Sequence, residues 1–456
     1  MREKQLHIIP DPHEFPSRLK GKTFISKARI DGFEMKTPWF TALCPKCPKQ
    51  ISKKGSTWFC TTDSIISSPS FTSSALKPTM ENLPCEVLLE IFVRLLAKQL
   101  AQMRCVCKSW NALLSESSFI KSHLHHSLHN KDEILLFFRM RHGSFIAHPS
   151  SSPDLELANF IKFPWNAEFE YAIGIIIGSV NGLVSIYQRS YLNYVVFIWN
   201  PSLSVSLTLP PYSSPSPASR ELYDTFGFGY DPKTDDYKVV KITRLSEPPN
   251  MALQAGVYSM RKGSWESISQ TFSSHVTRLT AESQFFPHGR DGHICWIGSV
   301  NANRKLGTIV SFDVGEETFT EIPLMDNSML QYHVYRDNGL GVLAGKLCVI
   351  SIIKYDRCDC EVWVMDKYGV AESWVKQYVF PLLDHLIFSY GFTSRNEFLF
   401  QYFLIDRVVM YNPVASKNKI FKIITGQGHR SPVIISKVIE YMDSLVWITP
   451  AKQLHI

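Results

Sequence analysis

Two spacings of apolar residues divide this chain. Between Leu83 and Leu124 they recur at helical intervals: Val87, Leu88, Ile91, Phe92 and Leu95 fall at i, i+1, i+4, i+5 and i+8. Leu100 and Met103 mark a second short turn of helix, and Val106, Trp110, Leu113 and Leu114 mark a third. Pro84, with Asn82 just upstream, suits the opening of the first helix, because proline fits the first helical turn where its missing N–H costs nothing. From Asn130 onward the pattern changes to short apolar runs of strand length, punctuated by Gly, Asn, Asp, Pro and Ser. The pattern predicts a small helical unit followed by a mainly β domain.

The β region repeats. Asn181-Gly182 precedes LVSIY, Asp235-Asp236 precedes YKVVKI, Asp291-Gly292 precedes HICWIG, Gly345-Lys346 precedes LCVIS, Asn396-Glu397 precedes FLFQY and Asp443-Ser444 precedes LVWIT. The steps between these turn pairs are 54, 56, 54, 51 and 47 residues. Between them sits a second strand with a polar or Asn-Pro ending (VVFIWNP, GVYSM, IVSFDV, VWVMD, VVMYNP), usually followed by an anchor such as Trp265, Phe319 or Trp374. A period near fifty with about four strands per unit predicts a β-propeller of about six blades. The last unit lacks its second strand, and Glu133–Arg139 at the other end of the domain is placed to supply it, which would close the ring and remove exposed sheet edges.

Three helices in about forty residues bury too little surface to stand alone, so the segment around Leu83–Leu124 is expected to need a partner surface. Upstream, residues 1–20 show little periodicity. Phe24 to Ile30 alternates like a strand, and Cys44-Pro45-Lys46-Cys47 is followed by Trp58-Phe59-Cys60 and Asp63. A Cys-x2-Cys knuckle with a further Cys at this distance has zinc-ribbon spacing, because two tight turns bring the thiolates to one tetrahedral centre. Cys44, Cys47, Cys60 and Asp63 are therefore the candidate zinc ligands, a set less favourable than four soft ligands. The expected organisation is a basic arm with a degenerate zinc-ribbon-like fragment (1–63), a Ser/Pro-rich linker (64–79), the helical unit (80–125) and the propeller (130–456).

Charge sharpens this division. The net charge of +7 belongs wholly to residues 1–78, which carry 13 Lys/Arg against 6 Asp/Glu, while the other 378 residues carry 35 of each. The helical unit and the propeller thus offer no electrostatic reason to expect nucleic acid or an anionic membrane. Tyr171–Tyr187 is apolar enough to mimic a membrane span, but its glycines and the Asn181-Gly182 pair read as two strands and a hairpin turn. No signal peptide opens the chain, and its ten cysteines form no disulfide framework; an intracellular setting, nucleus or cytoplasm, is expected.

Catalytic motifs are lacking. Gly339-x-Gly341-x-x-Ala344 and Gly227-x-Gly229 imitate nucleotide-binding loops but precede strands or turns rather than helices, and read as propeller turns. Cys358-x-Cys360 reads as an incidental pair on an exposed loop, and His123, His125, His126 and His129 as a helix end running into a linker rather than a metal site. No cofactor is expected beyond the candidate zinc.

Three resemblances give these units a meaning. Leu83-Pro84, the Leu88–Ile91–Leu95 stripe, Arg104-Cys105-Val106-Cys107-Lys108-Ser109-Trp110 and the tail Ser117-Ser118-Phe119-Ile120 closely resemble the F-box, the motif by which substrate receptors dock onto Skp1 in SCF-type ubiquitin ligases. The resemblance implies adaptor contact through Leu83, Pro84, Leu88, Ile91, Leu95, Val106, Cys107 and Trp110. One departure is Leu96 where many members carry proline, which should leave the corner between the first two helices less sharply set. Gly178–Leu183, Asn200-Pro201-Ser202, Phe226–Pro232 with Asp235–Val240, Val257–Ser259 with Gly263–Trp265, Ile309–Asp313 and Glu361–Met365 resemble the plant F-box-associated domain of kelch-like proteins. Together these imply a non-catalytic substrate-recognition subunit, joined through a Skp1-like adaptor to a cullin and holding an unknown target protein on propeller loops. The arm around Cys44–Asp63 resembles the zinc ribbon of the large subunit of replication protein A, which implies the alternative of single-stranded nucleic-acid binding. Lacking the last cysteine and the OB-fold strands that would form a binding groove, it reads as a relic or added arm, and a nucleic-acid partner is not expected.

Overall fold

A computed structural model of the chain describes residues 85–129, most of 134–448 and short strands between residues 29 and 73. The chain divides into two units, residues 1–127 and 128–456. In the first, Arg29–Ile30 pairs with Phe33–Glu34, and Ser52–Lys54, Thr57–Cys60 and Ser64–Ile66 form a three-stranded antiparallel sheet. Ser70–Ser73 pairs with Phe40–Leu43. The stretch read as a linker therefore carries two strands that pair back on the arm. Its Ser/Pro-rich composition hid Ile65, Ile66 and Phe71, residues that favour strands.

Four helices follow: α1 (Cys85–Phe92), α2 (Ala97–Met103), α3 (Lys108–Ser115) and α4 (Ser117–His129). The fourth was not expected as a separate helix, and it absorbs the histidine-rich stretch that reads in sequence as a fraying end.

The second unit is mainly β and is a propeller. Five antiparallel blades are each drawn from one stretch of chain, starting at Ile173, Arg220, Val276, Arg336 and Ile387. They are closed by a composite sheet in which Ile435–Tyr441 pairs with Ile134–Arg139, followed by Ser144–Pro149 and Asn159–Lys162. The count thus differs slightly from six like units. Glu133–Arg139 does supply a closing strand, but LVWIT does not: Ile134–Arg139 occupies the position beside Ile435–Tyr441, so the chain after Tyr441 leaves the sheet.

Buried apolar clusters lie at successive blade junctions, for example Ile177, Phe226 and Phe228 between the first and second blades, and Val362, Phe380 and Phe398 between the fourth and fifth. A middle strand is covered on both faces, which is why Leu347, Cys348, Val349 and Ile350 form an unbroken buried apolar run within Lys346–Ile353. An outer strand such as Thr318–Ile322 buries only Phe319 and Ile322.

The repeating turns have a common physical basis. Asn181-Gly182 and Ala344-Gly345 each take two left-handed residues (φ 52° and 78°, 50° and 72°), the geometry of a type I′ hairpin turn. The polar endings noticed in sequence cap the outer hairpins. Asp313 Oδ1 accepts from the Gly315 and Glu316 amides at 2.8 Å, and Asn412 Oδ1 from Val414 and Ala415 at 3.0 and 2.9 Å. Four residues after each cap comes a left-handed residue, Glu317 or Ser416, and the same spacing recurs from Asn200 to Ser204.

Some sequence positions move. Asp291-Gly292 begins a strand rather than forming a turn, and Gly227-x-Gly229 lies inside Arg220–Asp231. Gly227 is required there because a Cβ would come within 2.5 Å of the Trp296 ring, whose Nε1 donates to the Phe226 carbonyl at 3.2 Å. Blades are stitched by anchors too: Trp265 Nε1 donates to Pro210 O (2.7 Å) and Trp374 Nε1 to Pro323 O (3.0 Å).

Candidate functional site

The helical unit is built around its own small core. Phe92, Leu100 and Leu114 are essentially inaccessible, and the Phe92 and Trp110 rings meet edge to face at 5.0 Å. Leu88 and Leu95 are buried as well. Of the eight residues named from sequence, Leu88, Leu95 and Trp110 are buried within this unit. The fourth helix adds Phe119 and His123 to the buried residues, and His123 reaches the Leu95 carbonyl. Ile91 and Val106 are half-buried, Cys107 is exposed, and Leu83 and Pro84 lie outside the described residues. Two apolar residues outside that set of eight face solvent: Val87, 41% exposed, and Leu96, 59% exposed. Their signal was available, since Val87 falls one position before the buried Leu88 and Leu96 follows the end of the stripe.

The corner at Leu96 is sharp without proline. After Phe92 the winding tightens, with the Leu95 amide donating to the Phe92 carbonyl at 3.0 Å. Leu96 then leaves the helix at φ −65°, ψ 145°, a φ that proline itself would impose. Its amide, which proline would lack, donates to Gln99 Oε1 at 3.1 Å, half of a capping box, and its carbonyl accepts from Gln99 and Leu100. The Leu95 carbonyl accepts a 2.9 Å hydrogen bond from Nε2 of buried His123. His123 is thus a structural residue, while His125 is exposed. At the next corner Cys107 caps α3: its Sγ accepts from the Trp110 amide at 3.4 Å, and Arg104 Nε reaches Asn111 at 3.1 Å. The sequence Arg104–Trp110 is in this way a turn-and-cap device that seats Trp110 against Phe92.

Of the candidate zinc ligands, Cys60 ends the strand Thr57–Cys60, and Cys44, Cys47 and Asp63 lie outside the described residues. Among the described residues no three His, Cys, Asp or Glu side chains converge as a metal site. No helix among them is long and apolar enough to cross a membrane, and Ile173–Val180 and Leu183–Arg189 form the hairpin expected in place of the decoy span.

On the propeller, the buried polar groups tie blades together. Lys238 Nζ donates to Val314 O (2.7 Å) and Glu317 Oε1 (2.8 Å) and lies 3.9 Å from buried Asp231, linking the second and third blades. Lys241 pairs with Asp224 at 3.4 Å and sits 4.5 Å from the Tyr194 ring centroid, linking the first and second. One cluster has the residue types of a nucleophilic site: Cys295, Ser311, Tyr368, His293 and Asp313. There Ser311 Oγ is bonded to Tyr368 OH at 2.6 Å, and the His293 ring stacks on Tyr368. Burial pushes the Cys295 thiol up to about 12, so it stays protonated and inert at neutral pH. The exposed-loop reading of Cys358-x-Cys360 is corrected likewise: Cys360 is fully buried in Asp359–Met365, and burial raises its thiol as well.

Strand direction assigns the connections to two rims. The tight turns at Asn181-Gly182, Pro232–Asp235 and Ala344-Gly345, and the capped hairpins after Asn200, Asp313 and Asn412, share one rim. The outer strands of the blades run to the other rim, and the stretches of sequence from one blade to the next are longer and unequal, from 5 residues between Pro381 and Ile387 to 13 between Ile322 and Arg336.

An F-box-like family model matches residues 80–125, and the F-box associated beta propeller domain matches residues 124–440. F-box protein CPR1 of Arabidopsis thaliana is 30% identical over 315 residues, covering 65% of this chain and 72% of that protein. An F-box/kelch-repeat protein of the same plant is 27% identical over 316 residues, covering 67% and 81%. Among solved structures, an α-L-arabinofuranosidase from Fusarium graminearum aligns with TM-score 0.38 at 6% identity, over 64% of this chain and 86% of that one. A self-packed helical unit followed by a β-propeller is the architecture that these two family models describe. The chain belongs to the F-box proteins that carry an F-box-associated β-propeller domain.

Proposed function

We propose that this protein is a substrate-recognition subunit of an SCF-type E3 ubiquitin ligase, docking on a Skp1-like adaptor and through it on a cullin, in the nucleus, the cytoplasm or both. The observation that carries the reading is an F-box whose core is internally satisfied yet which presents Val87 and Leu96 to solvent, in one chain with a propeller. Val87 and Leu96 are the large apolar side chains that the described part of this unit leaves exposed, and the family match of the unit is what supports reading them as a contact surface. Ile91, Val106 and Cys107 extend that surface, with Leu83 and Pro84 upstream; Leu88, Leu95 and Trp110 act indirectly, by holding the helices.

The propeller holds the target protein on the rim formed by the inter-blade connections, whose unequal lengths suit recognition, while the opposite rim is committed to capped turns. The chain supplies no reacting group. It raises the local concentration of target lysines near a ubiquitin-loaded enzyme carried by its partners. Proximity labelling under proteasome inhibition tests this, comparing the wild type with a Val87→Asp/Leu96→Asp variant. Adaptor and cullin peptides should disappear with the variant while target labelling persists. Retention of the adaptor by a folded variant would refute the docking surface.

A further inference from the structure

The segment that leaves the composite sheet has an unexpected destination. After Tyr441 the chain crosses to the first blade, where Asn200 Nδ2 donates to both the Ser444 carbonyl (3.0 Å) and the Val446 carbonyl (2.9 Å). Ser202 Oγ donates to Asp443 Oδ1 at 2.6 Å and accepts from the Ser444 amide at 3.1 Å and from the Tyr441 hydroxyl. Asn200 and Ser444 are wholly buried, and Leu445 and Ile448 nearly so, with Ile448 packed in the cluster between the first and second blades. Gly182 lies directly beneath: a Cβ there would collide with the Met442 carbonyl and with Ser444.

We infer that residues 442–448 are a clasp that holds the ring shut, a second closure beyond the pairing of Ile435–Tyr441 with Ile134–Arg139. The two strands come from opposite ends of the domain, and beyond their own ladder Ile435–Tyr441 is held by single side-chain bonds from its neighbours, Ser179 Oγ to the Glu440 carbonyl at 3.3 Å in the first blade and Tyr390 OH to the Ile435 carbonyl at 2.8 Å in the fifth. The clasp adds a whole segment to these ties. It is continuous with Ile435–Tyr441 and is held by the Asn200-Pro201-Ser202 turn of a different blade, so the last sheet opens only if the segment is released from the first blade. Ser202 sits at its centre, because one hydroxyl engages three residues, Tyr441, Asp443 and Ser444.

Peptide-level hydrogen exchange on the full chain tests the clasp, using wild type, Ser202→Ala, and Ser311→Ala as a matched hydroxyl deletion at the junction of the third and fourth blades. Ser202→Ala should speed exchange in Ile435–Tyr441 and Ile134–Arg139 by about tenfold and leave Lys346–Ile353 unchanged. Ser311→Ala should leave the composite sheet alone. A chain ending at Tyr441 should show the same local opening, larger; if it fails to fold, Ser202→Ala decides. Unchanged exchange in the composite sheet of Ser202→Ala, or an equal rise in every blade, would overturn the inference.

Discussion

Leu96→Ala separates docking from folding. Full burial of a leucine side chain is worth about 1.5–3 kcal/mol. Leu96 is 59% exposed, so covering that fraction with an adaptor stabilises a complex by about 1–2 kcal/mol, and truncation should weaken Kd roughly 5- to 30-fold. The unbound protein should scarcely notice. Leu96 lies between helices, its backbone bonds to Gln99 and Leu100 survive the change, and exposed substitutions usually stay within about 0.5 kcal/mol. Phe92→Ala is the contrast: it empties a fully buried site against Trp110, at a cost of about 3–5 kcal/mol, and should lose binding by losing the helices. Calorimetric titration of the full chain with a purified Skp1-like adaptor, beside protease-resistance of the helical unit, reads both effects. The reasoning fails if Leu96→Ala leaves Kd within twofold of wild type, or if its weaker binding tracks a loss of helical structure.

Other predictions concern the propeller and the arm. Lys238→Met removes the cation facing buried Asp231 and the Val314 carbonyl and should destabilise the fold by about 3–5 kcal/mol in urea unfolding; a loss under about 1 kcal/mol would mean that Lys233 N and Thr234 Oγ1 suffice for Asp231. In the native protein, alkylation at pH 8 should modify Cys85, Cys105 and Cys107 and spare Cys295, Cys348 and Cys360, as read by peptide mass spectrometry; rapid labelling of Cys295 would contradict its burial. Because the folded state holds the Cys295 proton to about 12 against an ordinary 9.0, the stabilisation is full below pH 9 and lost progressively between 9 and 12. Cys295→Ser should remove its share of the alkaline decline and leave the part due to the buried Cys348 and Cys360 thiols. The full chain should show neither bound zinc nor steeply salt-dependent binding to single-stranded DNA; both together would instead support a working ribbon at Cys44, Cys47, Cys60 and Asp63.

Legibility followed the range of the interactions. The hairpin at Asn181-Gly182 was readable because two adjacent residues must adopt φ > 0 and the flanking apolar runs say how far the strands extend. The repeat was readable because every blade solves the same local problem, a two-faced middle strand and a capped outer hairpin. The inward placement of Leu88, Leu95 and Trp110 was not. A helical stripe shows which residues share a face, and nothing in the stripe tells whether α4 or another protein covers that face. Leu96 was misjudged for a similar reason: a local rule about proline missed the reach of Gln99 and the remote side chain of His123.

The chain order of elements, the propeller repeat, the F-box motif and the location of the charge all rest on neighbours within a few residues or on spacing, and a linear pattern carries them in full. Closure of the ring, the path of residues 442–448 and the exposure of Val87 and Leu96 depend on segments that meet from distant parts of the chain. Ser444 finds Asn200 across more than two hundred residues. Two strands, Ile134–Arg139 and LVWIT, competed for one position beside Ile435–Tyr441, and their apolar patterns are equivalent. Only tertiary packing decided between them, because the edge of a sheet accepts one partner and the excluded segment must find its hydrogen bonds elsewhere.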